Sequence, residues 1–474
     1  MPRRRQGQYS LTRLCLLGVF TTASGCIHFS DLEPLTEAQP AGTLLITHAR
    51  LFDGSEHNPI LLDQDIYLEN GVIAKIGPHP LNVNADKTLN AEGQTVMPGM
   101  IDFHVHVGGT EAPPWRPTFY SPERTLSAYL AFGVTSVVDM GGIPQQLAKL
   151  RDQLDAGEIS GPRLVYAGKQ VSVAHSHPGP LFDESVAWPL SKVLKKLMID
   201  EVDTHTDFTA LVEEHEAAGG VLLKLMIDQI PIGSPSTPLD LAQRVVNAAH
   251  ARNMPVAAHI GSDEDLNTAL SAGVDLIAHP VNRSELKPMT RIRLKESHVP
   301  VISTLRVFQN IGLEGQGINP VTSTDVSVMD PEIAHAFETK GTVSPAMAEY
   351  SQTIAANTAN LFNGCRQLQE AGIPMLVGTD TPLIGAPAGS SMMVELSLLV
   401  EQCGFSPRQT LHMATGAAGT LLSPWLSVSG LGELKENAPA DILLVKGDPT
   451  QDIHAMENLT HIISRGQLIK RKVP

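Results

Sequence analysis

His104 and His106 stand two apart in Met97-Pro-Gly-Met-Ile-Asp-Phe-His-Val-His106, a largely apolar run. Side chains along a strand alternate between its faces, so histidines at i and i+2 point the same way. Two imidazoles so placed can share one cation at the end of a strand, with Pro98-Gly99 marking the chain's entry into it. A chance His-x-His on a half-exposed strand accounts for the pair alone equally well. Further ligand-type residues separate the two readings. Lys224 lies inside Val221-Leu-Leu-Lys-Leu-Met226, where an unpaired ammonium would be costly. His259 ends Val256-Ala-Ala-His259, His279 ends Gly273-Val-Asp-Leu-Ile-Ala-His279, and Asp380 ends Ile373-Pro-Met-Leu-Val-Gly-Thr-Asp380. Each has an ordinary alternative: a snorkelling lysine, two hydrogen-bonded core histidines, a helix-capping aspartate. Four such coincidences beside a His-x-His explain less than one metal centre does.

Imidazole nitrogens and carboxylate oxygens suit zinc and related divalent ions. Four histidines, an aspartate and a lysine suffice for two divalent ions, zinc by ligand type, if the lysine becomes an anion. Carbamylation by carbon dioxide makes it one. It also explains a lysine, rather than a glutamate, in a buried run.

With these motifs the chain resembles the amidohydrolase superfamily, in its binuclear imidazolonepropionase-like and dipeptidase-like branch, from about Leu44 to Ile469. The resemblance implies His104, His106 and Asp380 on the more buried metal, His259 and His279 on the second, and carbamylated Lys224 across both. Gly416 in Met413-Ala-Thr-Gly-Ala-Ala, and Gly432-Glu433 through Ala440-Asp441-Ile-Leu-Leu-Val445, match its C-terminal pattern. Two stretches depart from it. The family often has a Ser/Thr/Gly-rich turn after the lysine, where this chain reads Leu225-Met-Ile-Asp-Gln229. It often has Gly-Gly-His after the third strand, where this chain reads Val173-Ala-His-Ser-His-Pro-Gly179. Every metal ligand is present, so the departures bear on the substrate pocket.

The implied reaction is hydrolysis of a C–N bond in a peptide-like or cyclic amide. Hydroxide shared by the metals would attack, and Asp380 would carry its proton to the leaving amine. The same site could serve a lactone, an ester or a phosphotriester. A catalytically inactive, lipid-anchored binding protein would be expected to have lost a ligand, and none is lost. His175 and His177 are candidates for substrate contact, with a solvated loop as the alternative. Arg306, just after the seventh strand, is a candidate to hold a substrate carboxylate.

Strand-like and helix-like segments alternate between the two chain ends, the pattern of a parallel α/β fold. Val134-Thr-Ser-Val-Val-Asp139, Leu164-Val-Tyr-Ala167 and Val299-Pro-Val-Ile-Ser-Thr304 read as its second, third and seventh strands. The expected fold is a (β/α)8 TIM-like barrel over 98–427. Residues 306–370 exceed one crossover helix and are expected over the barrel mouth. Residues 43–97 and 428–474 alternate apolar and polar residues between turn signals, as short antiparallel strands do. The resemblance implies that they pair into one small β-sandwich.

Arg3, Arg4, Arg5 and Arg13 precede an apolar stretch at 14–22 that is too short to span a bilayer, followed by Ala23-Ser-Gly-Cys26. This resembles a bacterial lipoprotein signal over 1–25, with Cys26 lipidated, 26–42 as tether, and an address in the cell envelope. Ile27 after the cysteine leans toward the outer membrane. A plain secretory signal is the alternative. Loss of 1–25 leaves 30 basic and 50 acidic residues, a balance of −20, which argues against nucleic acid and against electrostatic adhesion to anionic lipid. The expected partner is a small-molecule substrate, with membrane contact through the lipid; a homo-oligomer stays open. Export would permit a disulfide between Cys365 and Cys403.

Overall fold

The computed structural model describes residues 28–39, 42–116, 118–185, 188–339 and 341–472. The expected signal segment and the lipidation candidate Cys26 lie outside them. The stretch expected as a tether is docked wherever it is described. His28–Phe29 pairs in parallel with Thr118–Phe119, and Thr36–Gln39 pairs antiparallel with Gln467–Arg471. The physical reason is burial: Leu35 and Thr36 are enclosed, the Leu35 N–H donates to Ser127 Oγ at 2.8 Å, and Ser30 Oγ donates to Asp330 at 2.6 Å.

Two parallel arrays carry the middle of the chain. One orders Arg163–Tyr166, Val134–Asp139, Met100–Thr110 and Thr381–Leu383 side by side. The other orders Ile199–Glu201, Gln170–Ser172, Leu223–Met226, Val256–His259, Leu276–Ile277, Val301–Ile302 and Met375–Leu376. Strands covered on both faces are buried throughout, as in Val134–Asp139, where every residue is buried. Helices alternate with these strands, and their starts are locally specified. Ser262 closes a capping box with Asp265 immediately after the Val256–His259 strand, and Ser121 caps a helix with proline in its first turn.

The Met100–Thr110 strand carries a bulge. Its register against the next strand moves from Asp102 opposite Val137 to Val105 opposite Asp139, one extra residue on its side. Strict alternation therefore fails between Asp102 and Val105.

The two chain ends contribute to one nine-stranded sheet, in which Ile442–Lys446 pairs with Gln94–Pro98 and Leu44–Leu51 lies beyond it. The insertion expected at 306–370 folds as four helices, Leu305–Gly315, Ser323–Val326, Pro331–Glu338 and the long Pro345–Ala371. Ile333 and Phe337 of the third pack on Ala112, just past the Met100–Thr110 strand. Cys365 and Cys403 are bonded, with Cα atoms 5.3 Å apart.

Candidate metal centre

The six candidate ligands lie on parallel strands or within a few residues of their ends. His104 and His106 sit in Met100–Thr110, Lys224 in Leu223–Met226, and His259 closes Val256–His259. His279 lies two residues past Leu276–Ile277, and Asp380 lies between Met375–Leu376 and Thr381–Leu383. Their side chains meet. His106 Nε2 and His104 Nε2 are 3.1 and 3.3 Å from one oxygen of Asp380. Lys224 Nζ is 3.4 Å from His104 Nε2, and His259 Nδ1 is 2.8 Å from His279 Nε2. His104, His279 and Asp380 each offer a ligand atom within 4.8 Å of the others. His279 thus lies near the Asp380 group as well as beside His259, the neighbour the family pattern pairs it with.

The outward nitrogens define what the inward ones can do. His104 Nδ1 lies 3.1 Å from the Ala278 carbonyl, and His106 Nδ1 lies 3.1 Å from the Gly141 carbonyl. A carbonyl only accepts, so both Nδ1 atoms carry hydrogen. In a neutral His104 ring the Nε2 lone pair then faces an acceptor-only carboxylate. Such an arrangement is repulsive without a cation, and hydrogen-bonding the far nitrogen is how proteins orient metal-binding histidines. The donor set fits a divalent ion.

Electrostatics agree for three of the four histidines. Burial, followed by neighbouring cationic groups, holds His104, His259 and His279 well below the usual imidazole range, which keeps them in the neutral ligating form. Burial also pulls on His106, but its hydrogen bond and charge contact with Asp380 raise it overall. Lys224 is fully buried, and burial brings its ammonium down to about 7 against the pull of Asp380. No carboxylate among the described residues lies within salt-bridge distance of Lys224. Backbone strain collects here too: Asp380 has φ 57° and Thr304, whose hydroxyl is 3.0 Å from His279 Nδ1, has φ 40°.

The remaining candidates separate. His177 is buried, with its ring centroid 4.7 Å from that of His259 and no hydrogen-bond partner at Nδ1 among the described residues. His175 is exposed, with φ 62°, so the two do not form a second chelating pair. Arg306 is also placed differently from expectation. It is 3 % exposed and its guanidinium donates to Asp325 at 2.6 Å, so its charge is committed inside the insertion rather than offered to a substrate carboxylate. Sequence reasoning overlooked the groups that hold the ligands. Asp102 accepts from the Thr379 N–H at 2.9 Å and its hydroxyl at 2.6 Å. Glu395 accepts the Leu305 and Arg306 N–H groups, both at 2.8 Å, beside Thr304. Asp228, in the stretch that departs from the family, contacts His259. Asp102 and Asp228, acids within four residues of a candidate ligand, were the available signal.

The amidohydrolase family model matches residues 95–469. This chain belongs to the amidohydrolase family. It is a metal-dependent hydrolase of carbon–nitrogen bonds. An uncharacterised protein of Mycobacterium tuberculosis is 25 % identical over 386 residues, covering 79 % of this amidohydrolase and 85 % of that protein. The L-hydantoinase of Paenarthrobacter aurescens is 27 % identical over 195 residues, 34 % of this chain and 41 % of the relative. Among solved structures, a Xaa-Pro dipeptidase with methionine bound in its active site superposes with a TM-score of 0.72 at 21 % identity, covering 90 % of this chain and 99 % of the other. That likeness is one of fold.

Proposed function

We propose that this amidohydrolase holds two divalent cations, zinc by ligand type, and hydrolyses a peptide-like or cyclic amide. His104, His106 and Asp380 would hold one ion and His259 and His279 the other, with carbamylated Lys224 between them. One observation carries the reading: the Nε2 atoms of His104 and His106 converge on a single Asp380 oxygen at 3.3 and 3.1 Å while their Nδ1 atoms are occupied by carbonyls. A buried lysine without a carboxylate partner supports carbamylation, because the free amine is the form that adds carbon dioxide.

Around this centre we read the two arrays as one (β/α)8 barrel. Support comes from hydrogen bonds between them, Phe103 N–H to Val377 O at 2.9 Å and Val221 N–H to Tyr166 O at 3.0 Å. A shared cluster of Ile101, Val138, Val165, Ala257, Ile302 and Leu376 supports it as well. The nine-stranded sheet is read as a small β-sandwich, since Leu44, Ile46 and Ile66 share a core with Ile442, Leu444 and Ile463.

Bound divalent cations supply Lewis acidity, which acidifies a water and polarises a substrate carbonyl. Asp380 takes the proton of the attacking water on its carboxylate and returns it to the nitrogen as the C–N bond breaks. His177 lies beside His259 with a free ring nitrogen for the substrate. The names of the L-hydantoinase and the Xaa-Pro dipeptidase support a cyclic or peptide-like amide. The chain is further read as an exported lipoprotein of the bacterial envelope, anchored through Cys26. No helix among the described residues is long and apolar enough to cross a membrane.

The test is elemental analysis of protein purified with bicarbonate and without chelator, then a screen of dipeptides, N-acyl amino acids, cyclic amides and lactones. About two metals per chain and turnover of an amide are expected. Metal at trace level after reconstitution would end the reading, and turnover of lactones alone would redirect it. Cys26→Ser should release the protein from membranes; a wild type already soluble would remove the anchor.

A further inference from the structure

Asp228 is fully buried at the end of the Leu223–Met226 strand. Its Oδ2 lies 3.2 Å from His259 Nε2, while its Oδ1 accepts from the Gln229 N–H at 2.6 Å and pairs with the Arg283 guanidinium. Arg283 is itself fixed. It also donates to Asp265 at 3.1 Å, and Asp265 caps the helix that follows His259. The backbone N–H groups of Asn282 and Arg283 both donate to the Gly261 carbonyl at 2.9 Å. Asp228 is therefore held from the segment that follows His279 as well as from the segment that follows His259. The contacts with Gln229 and Arg283 hold the carboxylate at the His259 ring.

A carboxylate paired with a guanidinium only accepts hydrogen bonds. His259 must then carry its hydrogen on Nε2, which leaves Nδ1 as a bare lone pair. That Nδ1 is the atom 2.8 Å from His279 Nε2. We propose that Asp228 is a positioning residue that fixes the ring and tautomer of His259, so that Nδ1 is the atom presented to the metal, with Arg283 aiming the carboxylate. This rests on the metal-centre reading given above. It also gives a use to the Leu225-Met-Ile-Asp-Gln229 stretch, where the chain leaves the family pattern. A salt bridge serving packing alone would need only Arg283. The third partner, aimed at the nitrogen opposite the one facing His279, is what a purely structural Asp228 does not require.

The experiment titrates metal-free full-length protein with Zn2+ against a chromophoric chelator, comparing wild type, Asp228→Ala and Asp228→Asn. Carboxylates that orient a metal-binding histidine typically contribute about 10–100-fold to metal affinity. Asp228→Ala should lose that much, and Asp228→Asn should lose less because its amide oxygen can still accept. Thermal unfolding of the metal-free Asp228→Asn protein reads separately what loss of the Arg283 ion pair costs in stability. Wild type that binds no zinc overturns the metal centre itself. Wild type that binds zinc while both variants bind it equally well overturns the role of Asp228 and leaves the centre standing. If Asp228→Ala does not fold, Asp228→Asn decides: weaker binding supports the inference and unchanged binding overturns it. An independent readout needs no variant at Asp228. Nitrogen-15 imidazole spectra of metal-free wild type, with the His259 signals assigned by their loss in His259→Gln, should show His259 as the Nε2–H tautomer. The Nδ1–H tautomer would overturn the inference.

Discussion

Asp380 and His104 are joined twice: the Asp380 N–H donates to the His104 carbonyl at 2.7 Å, and the Asp380 carboxylate lies 3.3 Å from His104 Nε2. Backbone and side chain thus fix one distance. Asp380 reaches it with φ 57°, a conformation asparagine tolerates nearly as well. Asp380→Asn should therefore fold, keep most contacts and lose the proton acceptor. The expected fall in kcat is about 10²–10⁴-fold, the usual contribution of a general acid–base group. A variant with full metal content and kcat within about threefold of wild type would show that the proton travels elsewhere.

The Lys224 prediction concerns stability rather than rate. Its folded value is about 7 against 10.5 for a free lysine. Between those values the unfolded chain holds a proton that the folded chain lacks, so raising the pH favours folding across that window. Below about 7 both states are protonated and the burial penalty is borne in full. In metal-free, carbonate-free buffer, urea denaturation of wild type should gain stability from pH 7 to pH 10 relative to Lys224→Met. Parallel profiles for the two proteins would mean that the amine is not held in that state.

The candidate ligands were legible in sequence because each lies within or at the end of an apolar run, which is visible without coordinates. The short strands at both chain ends were legible through alternation and turn residues, and their pairing into one sheet was implied by the family resemblance. What was hidden depends on contacts between segments far apart in the chain. The bulge between Asp102 and Val105 leaves no compositional mark, yet Asp102 turns to Thr379. Arg306 reads as a cation at a strand end, and only the fold of the insertion brings Asp325 to it. Leu35 and Thr36 read as part of a tether because their partners, Ser127 and Arg471, lie elsewhere in sequence.

Arg306 gives a direct contrast between two roles. Its ion pair with Asp325 is buried on both sides, and Asp325 also accepts from Ser390 at 2.8 Å. Removing one partner of such a pair leaves an uncompensated charge and typically costs about 3–5 kcal/mol. Arg306→Met should lower stability by that order in denaturant titration. KM for a substrate bearing a carboxylate should stay near wild type in the folded protein. A tenfold rise in KM at unchanged stability would restore the substrate role.

The Cys365–Cys403 bond spans 38 residues and ties the Pro345–Ala371 helix to the segment after Ser390–Glu401. Closing a loop of that length removes about 4 kcal/mol of unfolded-state entropy in the simplest chain model. The double variant Cys365→Ala, Cys403→Ala should unfold at lower denaturant, and reducing agent should shift wild type toward it. Identical midpoints with and without reductant would show that the bond does not constrain the chain under those conditions.

His177 and His175 make the last test, because neighbouring histidines of one loop have opposite surroundings. His177 is buried against His259 with an unpartnered Nδ1, whereas His175 is exposed. Burial holds the His177 imidazole well below its usual range, so it is neutral and can donate or accept one hydrogen bond. A hydrogen bond to a substrate bearing developing charge is worth about 1.5–3 kcal/mol, or roughly 10–100-fold in kcat/KM. His177→Ala should lose that much while retaining its zinc, and His175→Ala should stay within about twofold of wild type, as an exposed side chain without a contact would. Loss of zinc in His177→Ala would make it part of the metal centre. Equal effects from the two substitutions would return both residues to the solvated loop.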